Sequence, residues 1–125
     1  MSTNFVVHFE IPVLDLDRAI AFYSAVFETT LSREEIDGYD MAMFPVEDEG
    51  FGASGALVKG DVYIPSVEGC FLYFGVESID ETVKRAIANG GSQMYPKKSN
   101  GELGWVAEIK DTEGNRIALH QAAGE

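Results

Sequence analysis

Residues 6–23 read VVHFEIPVLDLDRAIAFY, and the change of hydrophobic period inside this stretch decides the fold. Ahead of it the pattern alternates: Phe5, Val7, Phe9 and Ile11 share one face, while Val6, His8 and Glu10 share the other. A period of two over residues 4–13 predicts a strand covered on its apolar side. From Asp15 onward the period lengthens. Leu16, Ala19, Ile20, Tyr23, Val26 and Phe27 fall at helical spacing, and Asp15 is placed to cap the first turn. A strand is therefore followed at once by an amphipathic helix that covers it.

The same change of period occurs again downstream. CFLYFGV (70–76) is strand-like, and SIDETVKRAIANGG (78–91) follows it with Ser78 and Glu81 at capping-box spacing. Ile79, Val83, Ala86 and Ile87 make the apolar stripe, and Gly90 with Gly91 predicts the helix end, since glycine adopts the left-handed conformation without strain. Three strand-like segments follow each helix. After the first they are TTLSREEID (29–37), YDMAMFPV (39–46) and ASGALVKG (53–60); after the second, SQMYPKK (92–98), LGWVAEIK (103–110) and NRIALHQ (115–121). DTEG (111–114) is the clearest tight turn between them. Setting Val13 against Val76, an offset of 63, also aligns Leu16 with Ile79, Asp17 with Asp80 and Ile20 with Val83. An α+β fold of two tandem βαβββ modules is expected, with residues 1–60 and 70–125 as the modules and 61–69 as the linker, all in one compact domain.

Composition narrows the partners. The 125 residues, 46% of them hydrophobic, suffice for a buried core. A formal charge of -12 repels phosphate backbones and anionic lipid, and the one basic pair, Lys97-Lys98, is too short to offset it. Neither nucleic acid nor a membrane is therefore an expected partner. The single cysteine, Cys70, rules out an intrachain disulfide and suits a reducing compartment; its strand position predicts burial and a poor nucleophile. No signal-peptide pattern or membrane-length apolar run is present, so a cytoplasmic protein is expected.

A duplicated βαβββ unit headed by IPVLDLDRAIAFYSAVF (11–27) and closed by IKDTEGNRIALHQ (109–121) resembles the vicinal oxygen chelate superfamily of glyoxalase I, bleomycin-resistance proteins and extradiol dioxygenases. The resemblance covers nearly the whole chain. It implies that each module curls its sheet into a half-open cup and that two cups enclose a cavity. In the metal-dependent members up to four side chains, from the first and last strands of each module, hold a divalent ion. Carried over position by position, the resemblance gives His8 on the first strand, Phe71 at its counterpart 63 residues on, and Ala56 and Ala118 in the GAL and IAL triplets. Phenylalanine and alanine offer no lone pair, whereas a catalytic divalent site takes about three protein ligands. Glyoxalase I activity is therefore not expected, nor is the iron chemistry of ring cleavage.

Strand alternation proposes the remaining site. His8 and Glu10 from the first strand, with Tyr73 and His120 from the second module, are the candidate acid–base and oxyanion-donor groups. Ser54, Ala56, Val58, Phe71, Arg116 and Ala118 are expected on the same concave surface, with Trp105 as a further wall. No cofactor is expected. The alternative is a displaced zinc, iron, manganese or nickel site made by His8, Glu10 and His120. Three functions stay open: metal-independent binding of a small organic molecule, with or without chemistry on it; a metal-dependent lyase, isomerase or dioxygenase; and sequestration without turnover. The resemblance also implies a homodimer.

Overall fold

The computed structural model describes residues 5–47 and 52–124. Two four-stranded mixed sheets and two helices form an α+β structure in which one βαβββ path is followed twice. The first unit runs β1 (His8–Val13), α1 (Leu16–Val26), β2 (Ser32–Ile36), β3 (Tyr39–Met43) and β4 (Ser54–Lys59). The second runs β5 (Tyr73–Gly75), α2 (Ile79–Ala88), β6 (Ser92–Ser99), β7 (Gly104–Lys110) and β8 (Arg116–Ala122). The sheet orders, β1-β4-β3-β2 and β5-β8-β7-β6, match. In each, the first strand pairs parallel to the last and the other neighbours are antiparallel. The sheets remain separate, leaving β1 and β5 as edges.

Both helices start where their caps predict. The Asp15 side chain accepts from the Arg18 N–H and that of Ser78 from the Glu81 N–H. Gly90 takes a φ of 100°, and a left-handed residue there stops α2. One strand falls short of its prediction. Of residues 70–76 only Tyr73–Gly75 joins the ladder, and Cys70, expected to be buried, is exposed.

The helix-facing side chains of both units merge into a single core containing Ile11, Phe22, Val26, Ile79, Ile109 and Leu119. Burying such side chains contributes about 1.5–3 kcal/mol each. A polar knot joins the units beside that core. Asp111 opens the β7–β8 turn, and one of its carboxylate oxygens accepts from the N–H groups of Glu113, Gly114 and Asn115 at 2.8, 2.9 and 2.8 Å. The other accepts from the Tyr23 hydroxyl at 2.6 Å and the Asn115 amide at 3.0 Å. Burial, followed by the Asp111 charge, pushes the Tyr23 hydroxyl pKa well above its ordinary value. Glu113 reaches across to the first unit, accepting from the Leu14 and Asp15 N–H groups and from Arg18. Burial alone would raise its pKa. The Arg18 guanidinium and the two backbone donors outweigh that and hold it at about 2. The DTEG turn of the sequence is thus the clasp between the two units.

No helix among the described residues is long and apolar enough to cross a membrane.

Candidate functional site

Away from the helices, each sheet presents a second face, and the strand register lists its side chains. In the first unit His8, Glu10 and Pro12 lie beside Ser54, Ala56 and Val58, and the last two lie beside Met43 and Met41. In the second, Tyr73 and Gly75 lie beside Ala118 and His120, which lie beside Glu108 and Val106. Glu10–Ala56–Met43 and Tyr73–Ala118–Glu108 are corresponding rows, and each has an alanine at its centre.

The first of these faces carries a polar group of three. His8 Nε2 stands 3.4 Å from one carboxylate oxygen of Glu10, and the Tyr63 hydroxyl donates to the other at 2.9 Å. The Glu10 hydrogen bond, with some burial, raises the Tyr63 hydroxyl pKa. Glu10 therefore orients both neighbours. On the second face the Arg116 guanidinium lies 4.7 Å over the Phe71 ring, and its Nε is 3.4 Å from Glu108. That Nε makes no directed hydrogen bond, so its attraction to Glu108 is electrostatic. His120 is held elsewhere: its Nε2 donates to the Leu103 carbonyl at 2.8 Å.

The structure consequently does not gather His8, Glu10 and His120, and no cluster of three potential metal-ligating side chains occurs among the described residues. Trp105 lies outside the cup. Its ladder partner Gln121 turns its amide oxygen to the start of α2, and Lys97 covers the indole at 5.0 Å, while Val106 and Glu108 take the concave positions of β7. Tyr63 and Glu108 were missed by sequence reasoning. The alternation of β7 held the signal for Glu108; Tyr63 sits in a turn, where periodicity carries none.

Two openings mark the seam between the sheets. The larger, about 1090 Å³, is lined by Phe9, Phe27, Phe44, Leu72 and Phe74, with Tyr73 among its other residues. These phenylalanines interlock edge to face or tilted, with Phe27 and Phe74 centroids 4.5 Å apart. Ser54 lines it too. The smaller opening, about 270 Å³, brings Glu10 and Arg116 to one recess.

This topology and its paired faces coincide with a match of residues 5–119 to the model of the Glyoxalase/Bleomycin resistance protein/Dioxygenase superfamily. The chain belongs to that superfamily. Among solved structures, a glyoxylase/bleomycin resistance protein/dioxygenase domain from Frankia sp. EAN1pec superposes with a TM-score of 0.73 at 21% identity, covering 97% of this chain and 99% of that one. TnmS3, an antibiotic binding protein from Streptomyces sp. CB03234, gives a TM-score of 0.71 at 23% identity, covering 98% of both chains. Glyoxalase I from Zea mays gives 0.65 at 18% identity, covering 91% of this chain and 44% of that one. The chain thus spans less than half the length of the maize enzyme structures it matches. At these identities the likeness is one of fold. No curated protein matches the sequence.

The ligand positions of the superfamily's metal enzymes can be set against the register. Carried over by the resemblance, they fall on Ala56 in β4, Ala118 in β8, His8 in β1 and Phe71, its counterpart 63 residues on. A methyl or phenyl group at these positions donates no electron pair.

Proposed function

We propose that this member of the superfamily binds a small, largely apolar organic molecule in the cleft between its two sheets, without the glyoxalase I metal site. The observation that carries the proposal is the cleft itself. A space of about 1090 Å³, with five phenylalanines and a leucine in its walls and Glu28, Glu77, Glu81 and Arg85 on its polar side, offers a ring system more contact than the recess of about 270 Å³. Ser54 borders it, and its hydroxyl, which donates to the Pro45 carbonyl at 2.8 Å, keeps its lone pairs to accept from a ligand. The antibiotic-binding relative of the same fold supports binding without turnover. The half-exposed Phe71 and Tyr73 support a homodimer in which a partner covers the second cup. A cytoplasmic location accords with the lone, unpaired Cys70.

Two measurements test the proposal. Elemental analysis of protein purified without added metal should find only substoichiometric zinc, iron, manganese and nickel. A full equivalent of any of them, lost in His8→Ala, would overturn the metal-independent assignment. A thermal-shift screen of aromatic metabolites and antibiotics should raise the melting temperature for at least one, and that ligand should be recovered unchanged by mass spectrometry. A screen without a stabilising compound would count against the cleft as a binding site.

A further inference from the structure

Two asparagines of this chain precede a glycine, Asn89-Gly90 at the end of α2 and Asn100-Gly101 at the end of β6. Such a pair is a reactive unit. The glycine nitrogen, once deprotonated, is a nucleophile beside the side-chain carbonyl carbon of the asparagine, and glycine has no Cβ to obstruct the ring that closes. The fold decides whether the two atoms can meet. Both asparagines are exposed, so water reaches each of them. Their ψ angles are alike, 21° at Asn89 and 32° at Asn100, so at both the glycine must rotate before the ring can form. What differs is the structure that has to rotate with it.

At Asn89 that structure is the packed end of a helix. The Asn89 side-chain amide donates to the Arg85 carbonyl at 2.7 Å, and the Gly90 N–H donates to the Ile87 carbonyl at 3.4 Å. Gly91 N–H donates to the Ala86 carbonyl at 2.8 Å, and a Cβ on Gly90 would come within 3.1 Å of the Thr112 side chain in the β7–β8 turn. At Asn100 the segment that rotates is exposed throughout residues 101–103. Asn100 precedes a single helical turn, Gly101–Leu103, and its side chain does not cap that turn. Gly101 has φ 68° with open space where a Cβ would stand, and its N–H donates to the adjacent Ser99 hydroxyl at 3.2 Å.

We propose that Asn100-Gly101 is a site of self-modification, at which the folded chain converts asparagine to aspartate and isoaspartate. The Gly101 nitrogen attacks Asn100 Cγ. A C–N bond forms as the bond from Cγ to Nδ2 breaks, and the amide nitrogen leaves as ammonia, carrying the proton that Gly101 gave up. Water then opens the succinimide. Cleavage of the new C–N bond gives aspartate; cleavage of the bond between the Asn100 main-chain carbonyl and Gly101 gives isoaspartate, whose main chain is longer by one methylene. The longer product bears on the second cup. Asn100 N–H donates to the Gly104 carbonyl at 2.7 Å and so closes the turn that carries Leu103, whose carbonyl accepts from His120 Nε2 at 2.8 Å. An extra methylene inside that closed turn displaces the Leu103 carbonyl and frees His120, which stands beside Gly75 in the ladder.

The test is ageing of the full chain in mildly alkaline buffer, followed by peptide mapping in which a converted site gains the mass of one water and loses that of one ammonia. Asn100 should convert at least about tenfold faster than Asn89, which must first surrender the hydrogen bonds of its own amide and of Gly90. Synthetic peptides of residues 84–95 and 95–106 carry the same two pairs without the fold, and between them the rates should lie closer together than in the protein. Equal rates in the folded chain, or faster conversion at Asn89, would overturn the assignment. The NMR ring signals of His120 should shift in the aged protein, while those of His8, the other histidine, hold. Asn100→Asp adds the charge on a backbone of normal length, so it should leave His120 in place. A shift in Asn100→Asp equal to that of the aged protein would overturn the lengthened backbone as the cause. Asn100→Gln, too long for five-membered closure, should stay unmodified and keep its His120 signals through the same ageing, and a shift there would overturn the link between this site and the cup.

Discussion

The two cups of this molecule share a backbone plan and differ in what lies on them. In the first, the row Glu10–Ala56–Met43 is covered, and Ala56 and Val58 have 0% exposure. In the second, Phe71 and Tyr73 stay 48% and 53% exposed, although Ala118 occupies the position corresponding to Ala56. The cover on the first cup comes from the segment between the units, which supplies Tyr63 to the cup before it. Duplication thus gave two equivalent surfaces, and side chains outside the repeat made them unequal. The superfamily fold alone says little about which surface is available to a ligand.

The largest test of this contrast is to release one unit from the other. Asp111 satisfies three backbone N–H groups, the Tyr23 hydroxyl and the Asn115 amide at once, so Asp111→Ala leaves several buried donors unpaired. The expected loss is about 3–5 kcal/mol of unfolding free energy, measured by denaturant titration. The contrast between cups is a property of each unit's own side chains, so a folded remnant should keep the Met41 and Met43 methyl NMR signals of the closed cup. Their collapse together with the β7–β8 turn would instead make the closed cup a product of docking.

Acid tests the same clasp by a smaller amount. Glu113 has a folded pKa of about 2 against an ordinary 4.5. A depressed carboxylate contributes stability above its unfolded pKa, and this contribution is lost as pH falls from 4.5 towards 2. With Arg18 about half exposed, solvent screening reduces the effect to about 2 kcal/mol. Glu113→Gln should flatten this part of the stability–pH curve, and an unchanged slope would show that other carboxylates govern it.

The period change at Asp15 and its echo at Ser78 made both helices, both caps and the order of strands legible, because periodicity and capping are local physics. That His8 shares a face with Glu10, and Tyr73 with Ala118 and Arg116, follows from alternation, which a strand cannot evade. Trp105 was misplaced because its parity depends on where β7 begins, and the turn at Gly101–Leu103 sets that start. Tyr63 could not be found from pattern: a linker residue has no period, and its place in the first cup is decided by a hydrogen bond to a residue 53 positions away. The clasp was readable as a turn but not as a joint, since its partners lie about a hundred residues off on another element.

The finest test compares one added methyl or two on each floor. Ala56→Val puts two carbons into a position with 0% exposure, under Tyr63 and between Glu10 and Met43. The crowding should cost about 1 kcal/mol, the low end for overpacking because a β-branched residue suits a strand. Gly75→Ala in the second cup meets nothing within 4 Å, and its backbone lies outside the left-handed region. There the gain from a less flexible unfolded chain dominates, and stability should rise by about 0.5 kcal/mol. The two substitutions should therefore differ in sign when chemical denaturation midpoints are compared. A loss at both positions would mean that the second cup is covered in solution, which is the outcome a homodimer closing over Tyr73 would produce; repeating the titration across protein concentrations would identify it.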